Sequence, residues 1–210
     1  MDLFLYLFAA LFSVINPIGT VPIFVGLTHH DTEKERNRIS LWTAVNVLVI
    51  LLISYLVGQY VLTFFGISIE ALRIAGGIII LNSGFSLLTG NLNKKRGINK
   101  KIEHDVQKRN DIALTPLAIP MLAGPGSISL LIAFFQEHHQ TEEIAFSVLA
   151  MVAVAVSIYI ILRSAQYLSK LLGASGIVAI SRIVGFMVIA IGIQYIVSAI
   201  IDIIKTNLVH

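Results

Sequence analysis

The charged residues of this chain are confined to a few short clusters, and this confinement limits the folds open to it. Of its 27 Asp, Glu, Lys and Arg residues, six lie at 31–38, ten at 94–111 and three at 137–143. A soluble domain carries about 25% charged residues, spread over the polar faces of its helices. Here only 13% are charged, so the long uncharged stretches predict an integral membrane protein.

Those uncharged stretches have the length of membrane-spanning helices. About 20 apolar residues can cross a bilayer core of about 30 Å. Six such stretches can be drawn, approximately at 3–28, 39–65, 68–89, 112–135, 144–168 and 177–201. They fill nearly the whole chain, so we predict one all-α membrane domain over 1–210 with six transmembrane helices. The first stretch lacks the basic start and cleavage site of a signal peptide, and we expect it to remain in the mature protein.

The chain also resembles itself weakly at an offset of about 108 residues. Pro17 aligns with Pro125 at 108, and Arg73 aligns with Arg182 at 109, each arginine within an Arg-Ile-x-Gly segment. We interpret this as a duplicated three-helix unit whose odd number of spans inverts the second copy, an architecture of many secondary transporters. The predicted parts are repeat 1 at about 1–90, a cytoplasmic linker at about 91–111 and repeat 2 at about 112–210.

The basic residues predict the orientation of these spans. Loops 1–2, 3–4 and 5–6 hold 13 Lys and Arg residues, against two on the opposite side. Because cytoplasmic loops are enriched in Lys and Arg, both termini are expected outside the cytoplasm. The same rule explains the basic linker without a nucleic-acid partner, and none is predicted.

Two of the predicted spans carry proline and glycine near their centres. The first contains Asn16-Pro-Ile-Gly-Thr-Val-Pro22, and the fourth contains Pro120-Met-Leu-Ala-Gly-Pro-Gly-Ser127. Proline removes a helical hydrogen bond and clashes with the preceding turn. We therefore predict that helices 1 and 4 are broken near the midplane, with both breaks facing the protein interior because lipid cannot satisfy free backbone groups.

The broken helices predict a site for a small zwitterion. A half-helix N-terminus attracts a carboxylate, and free carbonyls at a half-helix C-terminus suit an ammonium group or a small cation. Proline kinks that serve only helix packing are the alternative, but two breaks at matching depths favour a site. The candidate substrate-binding residues are Asn16, Pro17, Gly19, Thr20, Gly124, Pro125, Gly126 and Ser127.

Three charged residues near span ends are candidates for a gate or for coupling. Arg73 and Arg182 open the third and sixth spans, where a basic side chain either extends to the interface or contacts a carboxylate. Glu70 lies three residues before Arg73 and is expected to form a local pair with it, with coupling as the alternative.

Other chemistries find little support in the sequence. The chain has no cysteine, and neither acids nor histidines lie deep in a span, so no enzyme is predicted. The clusters His29-His30-Asp31 and Glu137-His138-His139 fall on opposite membrane faces, and neither a metal nor another cofactor is expected. No phosphate-binding loop occurs that could drive transport by ATP. Coupling to sodium or protons and the oligomeric state, including a homo-oligomer, remain open.

The proline-rich segments resemble a known signature. Asn16-Pro-Ile-Gly-Thr-Val-Pro22 and Pro116-Leu-Ala-Ile-Pro-Met-Leu-Ala-Gly-Pro-Gly-Ser127 are similar to the paired motifs of the MarC family of inner-membrane proteins, and the resemblance covers nearly the whole chain. That family is grouped with the LysE-like exporters, and some archaeal relatives are described as transporting glycine and other neutral amino acids. The resemblance implies an inner-membrane transporter of a small neutral amino acid. A drug or metabolite exporter and a structural membrane protein are the alternatives.

Overall fold

The computed structural model describes residues 2–28, 30–89, 112–138 and 140–208, and every regular element in these ranges is helical. Most of the predicted linker 91–111 lies outside them. The helices are α1 (Asp2–Ile15), α2 (Pro17–Leu27), α3 (Glu33–Phe65), α4 (Ile69–Thr89), α5 (Ala113–Leu122, a π-helix), α6 (Pro125–Glu137), α7 (Thr141–Arg163) and α8 (Ala165–Leu208). Within α8 the backbone is non-helical at Gly173.

Five segments of the described chain are long and apolar enough to cross a membrane. They are Asp2–Val21, Glu33–Phe65, Ile69–Thr89, Thr141–Arg163 and Val178–Lys205. The fourth predicted span, 112–135, is absent from this set. It is divided between α5, with 10 residues, and α6, with 13, and neither is long enough alone to cross a core of about 30 Å.

The two halves of the chain are intertwined. Each extensive helix contact in the described chain joins a helix of residues 2–89 to one of residues 112–208. Thus α3 packs on α7, α4 packs on α8, α2 packs on α8 and α6 packs on α4. The last two contacts exchange under the repeat, because α2 and α6 follow Asn16 and Gly124, which lie 108 residues apart. Neither half therefore buries its apolar surface without the other.

The apolar side chains divide between an interior and an outer surface. Leu7, Leu11 and Ile15 of α1 are buried with residues of α3, α5, α6 and α7. Large apolar side chains also cover the outside, including Phe64 at 83% and Phe186 at 68% exposure. An apolar exterior of this extent requires a lipid surrounding rather than water.

Helices α4 and α8 approach each other through glycines. A Cβ built on Gly77 would lie 2.8 Å from the Gly192 oxygen, and one on Gly84 would lie 2.9 Å from the Gly185 oxygen. Small residues permit this close backbone contact between membrane helices. An offset of 108 turns Gly77 into Gly185 and Gly84 into Gly192. The two contacts therefore exchange with each other, as contacts across a two-fold axis do.

The starts of α3 and α7 follow the same offset. The Thr32 N–H donates to Glu35 Oε2 at 2.9 Å, and the Gln140 N–H donates to Glu143 Oε2 at 3.1 Å. Each pair is part of a capping box, which satisfies free N–H groups in the first turn. Thr32 and Gln140 lie 108 residues apart, so one local structure recurs in both halves.

Candidate functional site

The first break centres on Asn16, which separates α1 from α2. Its backbone is left-handed, with φ 46° and ψ 67°, a conformation that asparagine tolerates better than most residues. Its Oδ1 accepts a hydrogen bond from the Gly19 N–H at 3.2 Å, and Thr20 Oγ1 donates to the Asn16 carbonyl at 3.4 Å. Pro17 follows as the first residue of α2, where a missing N–H is harmless.

The Asn16 side chain is buried, and one of its polar atoms has no partner. Only 4% of the residue is exposed, and Nδ2 makes no hydrogen bond within the described structure. A Cβ built on Gly19 would clash with this carboxamide, so glycine at 19 lets the side chain fold over the first turn of α2. A buried donor without a partner costs about 1–3 kcal/mol, which an acceptor on a ligand would recover.

The second break separates α5 from α6. The π-helix α5 ends where the Ala123 N–H donates to the Ala118 oxygen at 2.8 Å. Pro116 and Pro120 have no N–H, which weakens the α-helical hydrogen-bond ladder in this segment. Gly124 is extended, Pro125 begins α6, and α6 has no side-chain cap.

The residues at the start of α6 differ in exposure. Gly126 and Ser127 are buried, Ser127 at 1%, whereas Pro125 is exposed and Gly124 is half-buried. Ser127 Oγ donates to the Gly124 oxygen at 2.9 Å and can still accept a hydrogen bond. The predicted residues of this half therefore point partly inward, and Pro125 does not.

The two breaks lie beside each other. A Cβ built on Gly126 would lie 3.4 Å from Val14 Cγ1, two residues before Asn16. The same atom would lie 3.1 Å from Ile80 Cγ1 of α4. The start of α6 thus contacts the end of α1, and α4 lies against both.

Arg73 is the centre of a charged cluster that links three helices. The residue is 8% exposed, and its guanidinium pairs with Glu137, the last residue of α6, and with Asp202 of α8 at 3.0 Å. No ion pair joins Arg73 to Glu70 in the described chain, so the expected local pair is replaced by contacts to distant residues. Burial explains the difference, because a buried guanidinium requires carboxylates on helices that enclose it.

A cavity of about 430 Å³ adjoins this cluster. It is lined by Ile69, Glu70, Arg73, Gln136, Glu137, Asp202 and Lys205. The cavity therefore lies at the C-terminal end of α6, away from the two breaks. Glu70 faces the same cavity as the ion pairs.

Arg182 is placed differently from Arg73. It is exposed and lines a cavity of about 360 Å³ with Ser175, Val178 and Ala179. No carboxylate pairs with it among the described residues. His29 and His139 lie outside the described residues, and the His138 ring stacks on Phe134 with centroids 4.4 Å apart.

Sequence comparisons identify relatives along almost the full length. The sequence model described as MarC family integral membrane protein matches residues 1–204. The chain is 40% identical over 207 residues to the UPF0056 inner membrane protein MarC of Escherichia coli O157:H7, covering 94% of this chain and 93% of that protein. It is 35% identical over 193 residues to the UPF0056 membrane protein YhcE of E. coli strain K12, covering 92% and 89%. No solved structure matches the chain.

Proposed function

Because this chain belongs to the MarC family and is a multi-pass inner-membrane protein, we propose that it transports a small zwitterionic solute such as glycine or alanine. The proposed site lies between the two helix breaks, and the proposed mechanism is alternating access around them. The role is that of a transporter, not an enzyme. The observation that carries the proposal is the buried Asn16 Nδ2, which has no partner beside the α2 N-terminus.

The chemistry at the two breaks supports this substrate class. A carboxylate at the start of α2 would accept from Asn16 Nδ2 and would lie at the positive end of the helix dipole. The uncapped start of α6 offers further N–H donors, and Ser127 Oγ can accept from an ammonium group. The last carbonyls of α1 and α5 are also acceptors. A ligand with both charges would use donors and acceptors together.

The architecture supports transport through an inverted repeat. The glycine contacts between α4 and α8 exchange at an offset of 108, and so do the two breaks and the two capping boxes. Paired discontinuous helices at a repeat interface commonly hold the substrate in secondary transporters. On this proposal α5 and α6 together form the fourth span, which gives six spans and both termini outside the cytoplasm.

The test replaces Asn16 by aspartate. Asn16→Asp keeps the size of the side chain, the acceptor that caps α2 and a residue that tolerates the left-handed backbone. It exchanges the Nδ2 donor for a negative charge that repels a carboxylate. In proteoliposomes loaded with unlabelled glycine, the wild type should accumulate labelled glycine by exchange, and Asn16→Asp should reduce the rate at least tenfold. Asn37→Asp, the same change on α3 outside the breaks, should leave the rate unchanged.

Two results would overturn the proposal. Glycine or alanine exchange by Asn16→Asp at the wild-type rate would exclude Asn16 from the site. A wild type that exchanges neither amino acid but moves larger apolar compounds would indicate a drug or metabolite exporter. A sodium or pH gradient applied in the same assay identifies the coupling ion, because only the coupled gradient should drive net uptake.

A further inference from the structure

The charged cluster around Arg73 is attached to the half-helix that begins at the proposed site. α6 runs from Pro125 at the break to Glu137 at the cluster, and its 13 residues span about 20 Å at about 1.5 Å per residue. The ion pair between Arg73 and Glu137 therefore holds the far end of a short, stiff segment whose other end is Gly126 and Ser127. A movement that breaks this pair also changes the break.

The three charged side chains are suited to reversible contact. Arg73 is almost fully buried, whereas the side chains of Glu137 and Asp202 are 48% and 46% exposed. Half-exposed carboxylates can become hydrated on separation, so parting from Arg73 leaves no buried anion. Asp202 would still neutralise Arg73 if Glu137 moved away.

The cluster occurs at one end of the bundle only. At the offset of 109 that relates Arg73 to Arg182, the counterparts of Glu137 and Asp202 are Thr28 and Asn93, which carry no charge. Arg182 is exposed and has no carboxylate partner among the described residues. A structure whose halves otherwise repeat therefore has an ionic closure at the predicted extracytoplasmic end and no matching one at the other.

From these contacts we propose that Arg73, Glu137 and Asp202 form the extracytoplasmic gate of the transporter. In the present state the pair between Arg73 and Glu137 closes the route from outside to the helix breaks. Opening requires Glu137 to leave Arg73 while Asp202 remains. The gate rests on the proposed function, since it controls access to the same site.

Labelling of a cysteine at the break tests the gate without measuring transport. The chain has no cysteine, so Ser127→Cys, a change of one atom at a residue 1% exposed, provides a single reporter. An impermeant maleimide added outside intact cells should label it slowly. Adding Glu137→Gln should raise the labelling rate at least tenfold, because one closure contact is lost while Asp202 still neutralises Arg73.

Two matched variants separate the gate from a general loosening. Glu70→Gln removes a carboxylate that lines the same cavity without pairing to Arg73, and it should leave the labelling rate unchanged. Glu137→Asp keeps the charge and should restore most of the slow labelling. Equal labelling of Ser127→Cys with and without Glu137→Gln would overturn the gate, and so would an equal increase caused by Glu70→Gln.

The two proposals can fail separately. If labelling changes as expected while neither glycine nor alanine is exchanged, the gate stands and the substrate is wrong. If both amino acids are exchanged and labelling does not respond to Glu137→Gln, the substrate stands and the gate is wrong.

Discussion

Replacing Gly84 by alanine should separate α4 from α8 and measurably destabilise the protein. The added Cβ would lie 2.7 Å from Ile189 Cγ1, 2.8 Å from the Ile189 nitrogen and 2.9 Å from the Gly185 oxygen. Two of these atoms are backbone and cannot rotate away. Because ordinary contacts begin near 3.4 Å, the helices must part by about half an ångström at this point.

The expected loss follows from two opposing effects. Overpacking of a tight interior costs about 1–3 kcal/mol, and backbone clashes place this case near the upper end. Alanine is favoured over glycine in a helix by about 1 kcal/mol. The net decrease in the free energy of unfolding is therefore about 2 kcal/mol, which corresponds to a Tm lower by about 4–8 °C for a chain of this size.

Thermal unfolding of the purified protein in detergent provides the measurement. Gly26→Ala is the matched control, because a Cβ there meets nothing within 4 Å and the helical preference should leave the Tm unchanged or slightly higher. Gly84→Ala combined with Gly185→Ala should cost less than the sum of the single changes, since both methyl groups use one widened gap. A Gly84→Ala variant as stable as Gly26→Ala would refute the close contact.

Two further predictions concern the site and the orientation. Gly19→Ala should displace the Asn16 carboxamide and reduce glycine exchange in proteoliposomes at least tenfold, with the amount of inserted protein as control; unchanged exchange would show that the position of this carboxamide is unimportant. With an impermeant maleimide added outside intact cells, Asn99→Cys should remain unlabelled and Gln140→Cys should react, because the linker is predicted to be cytoplasmic. The reverse pattern would contradict the predicted topology.

The positions of the two breaks are local properties, and the sequence reveals them for that reason. Pro17 and Pro125 each begin a new helix, and the residues before them leave the α-helical conformation. The π-helix α5 is not predicted in the same way. Whether a segment with prolines kinks or widens depends on the groups that accept its displaced hydrogen bonds, and these belong to other parts of the fold.

The partners of Arg73 show the limit of local reasoning more clearly. Spacing along one helix identifies Glu70 as its neighbour, but Glu137 and Asp202 lie 64 and 129 residues away in the chain. A signal was nevertheless present, because both are isolated acids at the ends of apolar segments, where an ionisable residue is seldom without a partner. Which acid pairs with which base is decided by the packing of α4 between α6 and α8.

The kinds of contact around α4 indicate which part of the bundle would move in the proposed cycle. α4 and α8 meet backbone to backbone at Gly77 and Gly84, and such contacts have little freedom to rearrange. α6 meets α4 through side chains, with Ser129 over Gly76 and Glu137 on Arg73, and side chains can rotate to new partners. Asp202 belongs to α8 and would remain with Arg73, so the α4–α8 pair is expected to act as the frame. Opening at the extracytoplasmic end is then a displacement of α6 against that frame, and it carries Gly126 and Ser127 with it.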